Sequence, residues 1–131
     1  MPRLSLAFFT AAVCCGLCGM TLGAYMAAHN DYTLAPAHAH LNLLGWVTLS
    51  IMGGFYAFAG PRTPKWLGWG NFCLSFGGVL VIVPSLAMLL MGHKEAEKFV
   101  IAGTVITICG MLAFASEVIH LWGRPKPAVA R

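Results

Sequence analysis

Residues 66–91, WLGWGNFCLSFGGVLVIVPSLAMLLM, form an apolar run that contains no charged side chain. A helix needs roughly 20 mostly apolar residues to cross the hydrocarbon core of a bilayer, so this run is long enough to span a membrane. Three further runs, at about 4–28, 37–59 and 99–122, have the same character. Strands of membrane barrels alternate apolar and polar residues over about 10 positions, and these runs do not. The sequence therefore predicts an all-α, integral membrane four-helix bundle.

The composition supports this class. Of the 131 residues, 59% are hydrophobic and only 9% are charged, whereas a soluble domain carries about 25% charged residues. We expect one transmembrane domain over 1–131, with a tail at 123–131 in which two prolines oppose a continued helix. The short connections predict antiparallel neighbouring helices. The sequence shows no phosphate-binding loop, nucleic-acid motif or Ser-His-Asp set, so the expected partner is the lipid bilayer and not nucleic acid.

Basic residues predict the orientation, because cytoplasmic loops are enriched in Lys and Arg. Lys94 and Lys98 fall at one side of the predicted bundle. The other side carries the remaining basic residues: Arg3, Arg62, Lys65, Arg124, Lys126 and Arg131. Both termini are therefore expected in the cytoplasm of a bacterial-type inner (plasma) membrane, in a multi-pass arrangement. The second helix then begins at the periplasmic, outer face.

Two histidines, His38 and His40, stand at the start of this second helix. Strongly polar groups in membrane segments are rare and usually functional, and imidazole is the commonest metal ligand. Positions two apart on a helix differ by about 200°, so the rings should face opposite sides and should not hold one ion together. Asn42 shares the His38 face, and His29 and His93 lie at the same level. The alternative is that a first-turn histidine only reaches water or a backbone carbonyl.

The segment at about 37–56, with His38-Ala39-His40 followed by LNLLGW, resembles the haem-binding helix of the haem-copper oxidase subunit I superfamily, which includes nitric oxide reductases. In that family the two histidines of a His-x-His pair ligate different haems. The resemblance implies haem b, with iron bound by His38 and His40. We expect Asn42 and His93 to contribute to the same cofactor site, His93 either as an axial ligand or as a partner of a haem propionate.

The number and arrangement of the predicted helices also resemble this superfamily. Subunit I of the superfamily has twelve helices in three arcs of four, and this chain resembles one arc. The resemblance implies a homotrimer with haem between protomers, in which His38 of one chain and His40 of its neighbour are the axial ligands. The chain lacks the further His-His pair of a copper site, so a complete oxidase is not expected. The predicted function is electron transport with an unidentified donor or acceptor, or binding or sensing of a diatomic gas, with redox or nitric-oxide-related activity left open.

Two further groups of side chains are candidate metal ligands. Glu117 and His120 lie on one helical face, which is half of a di-iron motif, although a polar cap at the inner end of the helix is the favoured interpretation. Cys14, Cys15 and Cys18 could bind copper(I), but membrane cysteines more often serve as small packing residues. The alternative function is therefore a copper-handling or metal-transport protein without haem. A third is an assembly subunit whose histidines are incidental.

Overall fold

A computed structural model describes residues 1–59 and 62–123. Within them lie four helices long and apolar enough to cross a membrane, α1 (Arg3–His29), α2 (Ala35–Ala59), α3 (Lys65–Leu90) and α4 (Glu97–Trp122). The predicted four-helix, all-α class is confirmed, and each helix end lies within two residues of its predicted position. Residues 124–131 of the predicted tail lie outside the described residues.

Helices α1 and α2 form an antiparallel hairpin whose interface depends on a stripe of glycines on α1. Small residues let membrane helices approach closely, and here they also admit large side chains from α2. The contacts pair Gly16 with Trp46, Gly19 with Asn42 and Gly23 with His38. The first turns of α2 are thereby fixed against α1.

Helices α3 and α4 form a second hairpin that is packed even more closely. A Cβ atom on Gly103 would lie 2.7 Å from the backbone nitrogen of Ile82, and one on Gly110 would lie 2.9 Å from that of Ser75. Glycine is required at these positions because the opposing atoms are backbone atoms that cannot rotate away. The outer face of α4 remains exposed and apolar, as expected for a surface that faces lipid or another subunit.

An aromatic cluster joins the two hairpins at the end where α1 begins and α4 ends, which we call the terminal end. The ring of Phe8 stacks on Tyr56 at 5.3 Å between centroids and meets Phe72 edge-on at 5.0 Å. Phe55 packs edge-on against Phe114 of α4 at 4.9 Å. Such pairs contribute about 0.5–1.5 kcal/mol each beyond their buried area. The opposite end, where α2 begins, is called the histidine end.

Helix α2 is not regular throughout. It is α-helical over Ala35–His40, π-helical over Leu41–Thr48 and α-helical again over Leu49–Ala59. The sequence pattern predicted one regular helix here. Extended π-helical segments are rare and occur frequently at functional sites. This one begins directly after the second histidine.

Candidate functional site

His38 faces α1. Its Cε1 atom would lie 2.9 Å from a Cβ on Gly23, so the ring occupies the space that this glycine leaves. The side-chain nitrogen of Asn42 lies 3.3 Å from Nε2 and 3.4 Å from Nδ1 of His38. Because these distances are nearly equal, the amide is not directed at the lone pair of either nitrogen. The ring of His38 therefore lies between α1 and Asn42. Neither of its nitrogens is oriented by a well-directed hydrogen bond.

His40, unlike His38, has one ring nitrogen in a short hydrogen bond with the backbone. Its Nδ1 lies 2.8 Å from the backbone carbonyl oxygen of Pro36. A carbonyl can only accept a hydrogen bond, so Nδ1 carries the proton and Nε2 carries the lone pair. Metal-binding histidines are almost always held in this way, with one ring nitrogen donating to a carbonyl or carboxylate. This tautomer suits a metal ligand that binds through Nε2. The same bond to a backbone carbonyl is also what the alternative interpretation of a first-turn histidine predicts, and His29 makes an equivalent bond to Tyr25.

The predicted division of α2 into two faces agrees with the burial. The face that follows His38 is directed inward and includes the buried residues Gly45, Leu49, Gly53 and Tyr56. The face that follows His40 is directed outward, and Val47 and Ile51 on it are exposed. On α2, the outward face leaves an apolar surface beside His40.

Side chains stabilise the π-helical segment near both of its ends. The amide of Asn42 donates to the carbonyl oxygen of His38 at 2.9 Å, and the hydroxyl of Thr48 donates to that of Leu43 at 2.8 Å. The second bond spans five residues, which matches the wider turn of a π-helix. Asn42 therefore supports the backbone directly after the histidine pair, in addition to contacting the ring of His38.

The two other histidines of this end differ from each other. His29 lies at the end of α1, and its Nδ1 is 2.9 Å from the carbonyl oxygen of Tyr25, so it has the same tautomer as His40. His93 lies in the connection between α3 and α4, with Nδ1 3.3 Å from a carboxylate oxygen of Glu95. Both rings are exposed. Over residues 1–59 and 62–123, no three His, Cys, Asp or Glu side chains come together as a metal site.

The connection between α1 and α2 is ordered by a local hydrogen-bonding motif. The carboxylate of Asp31 accepts hydrogen bonds from the hydroxyl of Thr33 at 2.7 Å and from its backbone N–H at 3.0 Å. These bonds lower the pKa of Asp31 below its ordinary value. The residue is fully exposed and stays charged at neutral pH.

The histidines of this end differ in how well they would fit a haem iron. An axial ligand needs a neutral imidazole with an accessible lone pair, and proteins commonly supply it from His. His40 meets this requirement and stands at the top of an exposed apolar face. His29 has the same tautomer, whereas both ring nitrogens of half-buried His38 lie within 3.4 Å of the side-chain nitrogen of Asn42.

A buried polar network, which the sequence pattern did not predict, lies between the aromatic cluster and the middle of the bundle. The side-chain nitrogen of Asn71 donates to the Tyr56 hydroxyl at 3.0 Å, and the Ser75 hydroxyl donates to the side-chain oxygen of Asn71 at 2.8 Å. Glu117 is 0% exposed and lies close enough to Tyr56 to interact electrostatically. The favoured interpretation of Glu117 as a headgroup cap is therefore wrong, because it faces the bundle interior while His120 is exposed.

The three clustered cysteines line a small apolar cavity and do not form a compact ligand set. Cys15 is buried, with its Cβ 2.8 Å from the position of a Cβ on Gly45, while Cys14 and Cys18 are exposed. Together they line a cavity of about 240 Å³ that extends to Pro84 of α3. This arrangement agrees with a packing role for Cys15.

Comparisons with protein-family models, with curated proteins and with solved structures give no match to this chain. The resemblance to the haem-copper oxidase core therefore stays a prediction that depends on the residues around His38 and His40.

Proposed function

We propose that this chain is a membrane haem b protein in which Nε2 of His40 is an axial ligand of the iron. The observation that carries the proposal is the hydrogen bond from Nδ1 of His40 to the Pro36 carbonyl oxygen. That bond fixes the tautomer and the ring orientation, which is how proteins prepare an imidazole for a metal. The π-helical segment that follows His40 supports the proposal, since such segments concentrate at functional sites.

The residues around His40 define what the chain itself contributes. The outward face of α2, with Val47 and Ile51 exposed, would cover one side of a flat apolar cofactor. Asn42 stabilises the backbone below the ligand and keeps His38 against α1. A bound haem would supply one-electron transfer or, with an open axial position, gas binding.

A second axial ligand would come from a neighbouring copy of the chain, which agrees with the proposed homotrimer of four-helix arcs. His29 has the tautomer that suits this role, and His38 is the ligand that the family resemblance implies. In this proposal the site lies towards the periplasmic side of the inner membrane, because the histidine end is opposite the end with most basic residues. The electron donor or acceptor would approach from that side.

Alanine variants of the histidines test the proposal directly. Protein produced with haem available should show a Soret band in the wild type and lose it in His40→Ala, and added imidazole should restore it. His38→Ala and His29→Ala should shift the spectrum if either ring is the second ligand. His120→Ala is the matched control, because this exposed histidine lies at the opposite end.

Retention of the full haem content by His40→Ala would refute the assignment. A colourless protein that contains copper would favour the copper-handling alternative, in which the histidines and cysteines act as ligands. A colourless protein without copper would favour the assembly-subunit alternative.

A further inference from the structure

A cavity of about 610 Å³ opens at the terminal end of the bundle, opposite the end that carries His38 and His40. It is bounded by the start of α1, the end of α2 and the start of α3. Its lining includes Arg3, Lys65 and Thr63, together with Leu4, Tyr56 and Trp69. The cavity therefore combines two cations and a hydroxyl with aromatic and aliphatic walls.

Two basic side chains line this cavity, and the carboxyl of Glu117 lies close to Tyr56 in its lining. Arg3 and Lys65 are exposed, and neither forms an ion pair within residues 1–59 and 62–123. They are also the first residues of α1 and α3, whose N-cap prolines provide no side-chain cap. Helix N-termini carry partial positive charge and free N–H groups. Two cations and two helix N-termini thus meet at one opening, and they would attract an anion.

The apolar residues that line the cavity indicate which type of anion would bind. Leu4 and Trp69 give the cavity apolar sides, and Tyr56, which is 1% exposed, forms its floor and continues into the polar network through Asn71. A small inorganic anion would leave these apolar walls without a partner. A molecule with an anionic head and an apolar body matches both parts of the lining.

We infer that this cavity binds the phosphate-bearing headgroup of an anionic phospholipid. Arg3 and Lys65 neutralise the phosphate, and the acyl chains leave along Leu4 and Trp69. The inference does not depend on haem. It uses different residues at the opposite end of the bundle from His40, so that either proposal can fail alone.

Native mass spectrometry of the detergent-purified protein tests this inference with phosphatidylglycerol as the probe. Each basic residue near a membrane surface changes anionic lipid binding by about 1 kcal/mol, which is about five-fold in affinity. The double variant Arg3→Gln/Lys65→Gln should therefore bind phosphatidylglycerol about thirty-fold more weakly. Lys94→Gln/Lys98→Gln is the matched control, since it removes the same charge from the histidine end and should bind like the wild type.

Two further arms define the ligand. Phosphatidylcholine, which has no net charge, should bind the wild type weakly and should not distinguish the variants. The charge-conserving variant Arg3→Lys/Lys65→Arg should keep the affinity, which separates a loss of charge from a loss of folding.

Several outcomes would overturn the inference. These are equal binding of phosphatidylglycerol by the wild type and the Gln variant, an equal loss in the control variant, and equal binding of phosphatidylcholine. Tight binding of inorganic phosphate alone, without phosphatidylglycerol, would show that the source of the phosphate is not a lipid.

Discussion

Replacing Gly110 by alanine should force α3 and α4 apart, and a matched substitution isolates the energy of that contact. The new Cβ would lie 2.9 Å from the backbone nitrogen and 3.0 Å from the Cα of Ser75. Backbone atoms cannot rotate away, so the helices must separate. A methyl group added at Gly77 of α3 would have no neighbouring atom within 4 Å, so alanine fits there without a clash.

The magnitude follows from two terms. Alanine is favoured over glycine in a helix by about 1 kcal/mol, and this gain applies to both variants. Overpacking a close contact costs about 1–3 kcal/mol and applies only to Gly110→Ala. The free energy of unfolding should therefore be lower in Gly110→Ala than in Gly77→Ala by about 1–3 kcal/mol.

Reversible unfolding in mixed micelles, titrated with sodium dodecyl sulfate and followed by circular dichroism, measures this difference. The midpoint should be lower for Gly110→Ala than for Gly77→Ala, whose own midpoint should equal or exceed that of the wild type. Equal midpoints for the two variants would refute the close packing of α3 on α4.

Three other predictions concern the polar network, the ligand set and the topology. Asn71→Leu should lower the free energy of unfolding by about 1–3 kcal/mol, since it removes the partner of two buried hydroxyls. Cys73→Ala, at an exposed position of the same helix, is the control. An equal loss of stability in both variants would contradict the network. Gly23→Ala should displace the ring of His38, whose Cε1 would lie 2.9 Å from the new Cβ, and a haem spectrum that stays unchanged would exclude His38 as a ligand. Tyr32→Cys should react with a membrane-impermeant maleimide in intact cells, whereas labelling only after lysis would reverse the proposed orientation.

The helices were predictable because their signal is local. A long uncharged run such as 66–91 has few alternatives to a membrane-spanning helix. Turn-forming residues between the runs mark the connections: Asn30-Asp31, the prolines at 61 and 64, and Gly92.

The π-helical segment could not be predicted in the same way. A change from 3.6 residues per turn to the wider π-helical turn over Leu41–Thr48 hardly alters the pattern of an almost entirely apolar stretch. Asn42 and Thr48 are the polar side chains that mark it, and their backbone hydrogen bonds are visible only in the structure.

The sequence singled out the residues of the histidine end but not their arrangement. The spacing of His38 and His40 predicted opposite faces, yet it did not indicate that Gly23 and Asn42 would enclose one ring. Glu117 was misplaced because hydropathy gives its depth along a helix and not the direction of its side chain. The network around Asn71 and Tyr56 joins residues that only tertiary packing brings together.

An absorption spectrum tests most directly whether this chain holds haem through His40. Protein produced with haem available would be purified in detergent and measured oxidised, reduced with dithionite, and reduced with carbon monoxide. The proposal predicts a Soret band with α and β bands on reduction. Carbon monoxide would leave these bands unchanged if a second histidine completes the site, and would shift them if the position is open to gas. The absence of a Soret band would contradict the proposal.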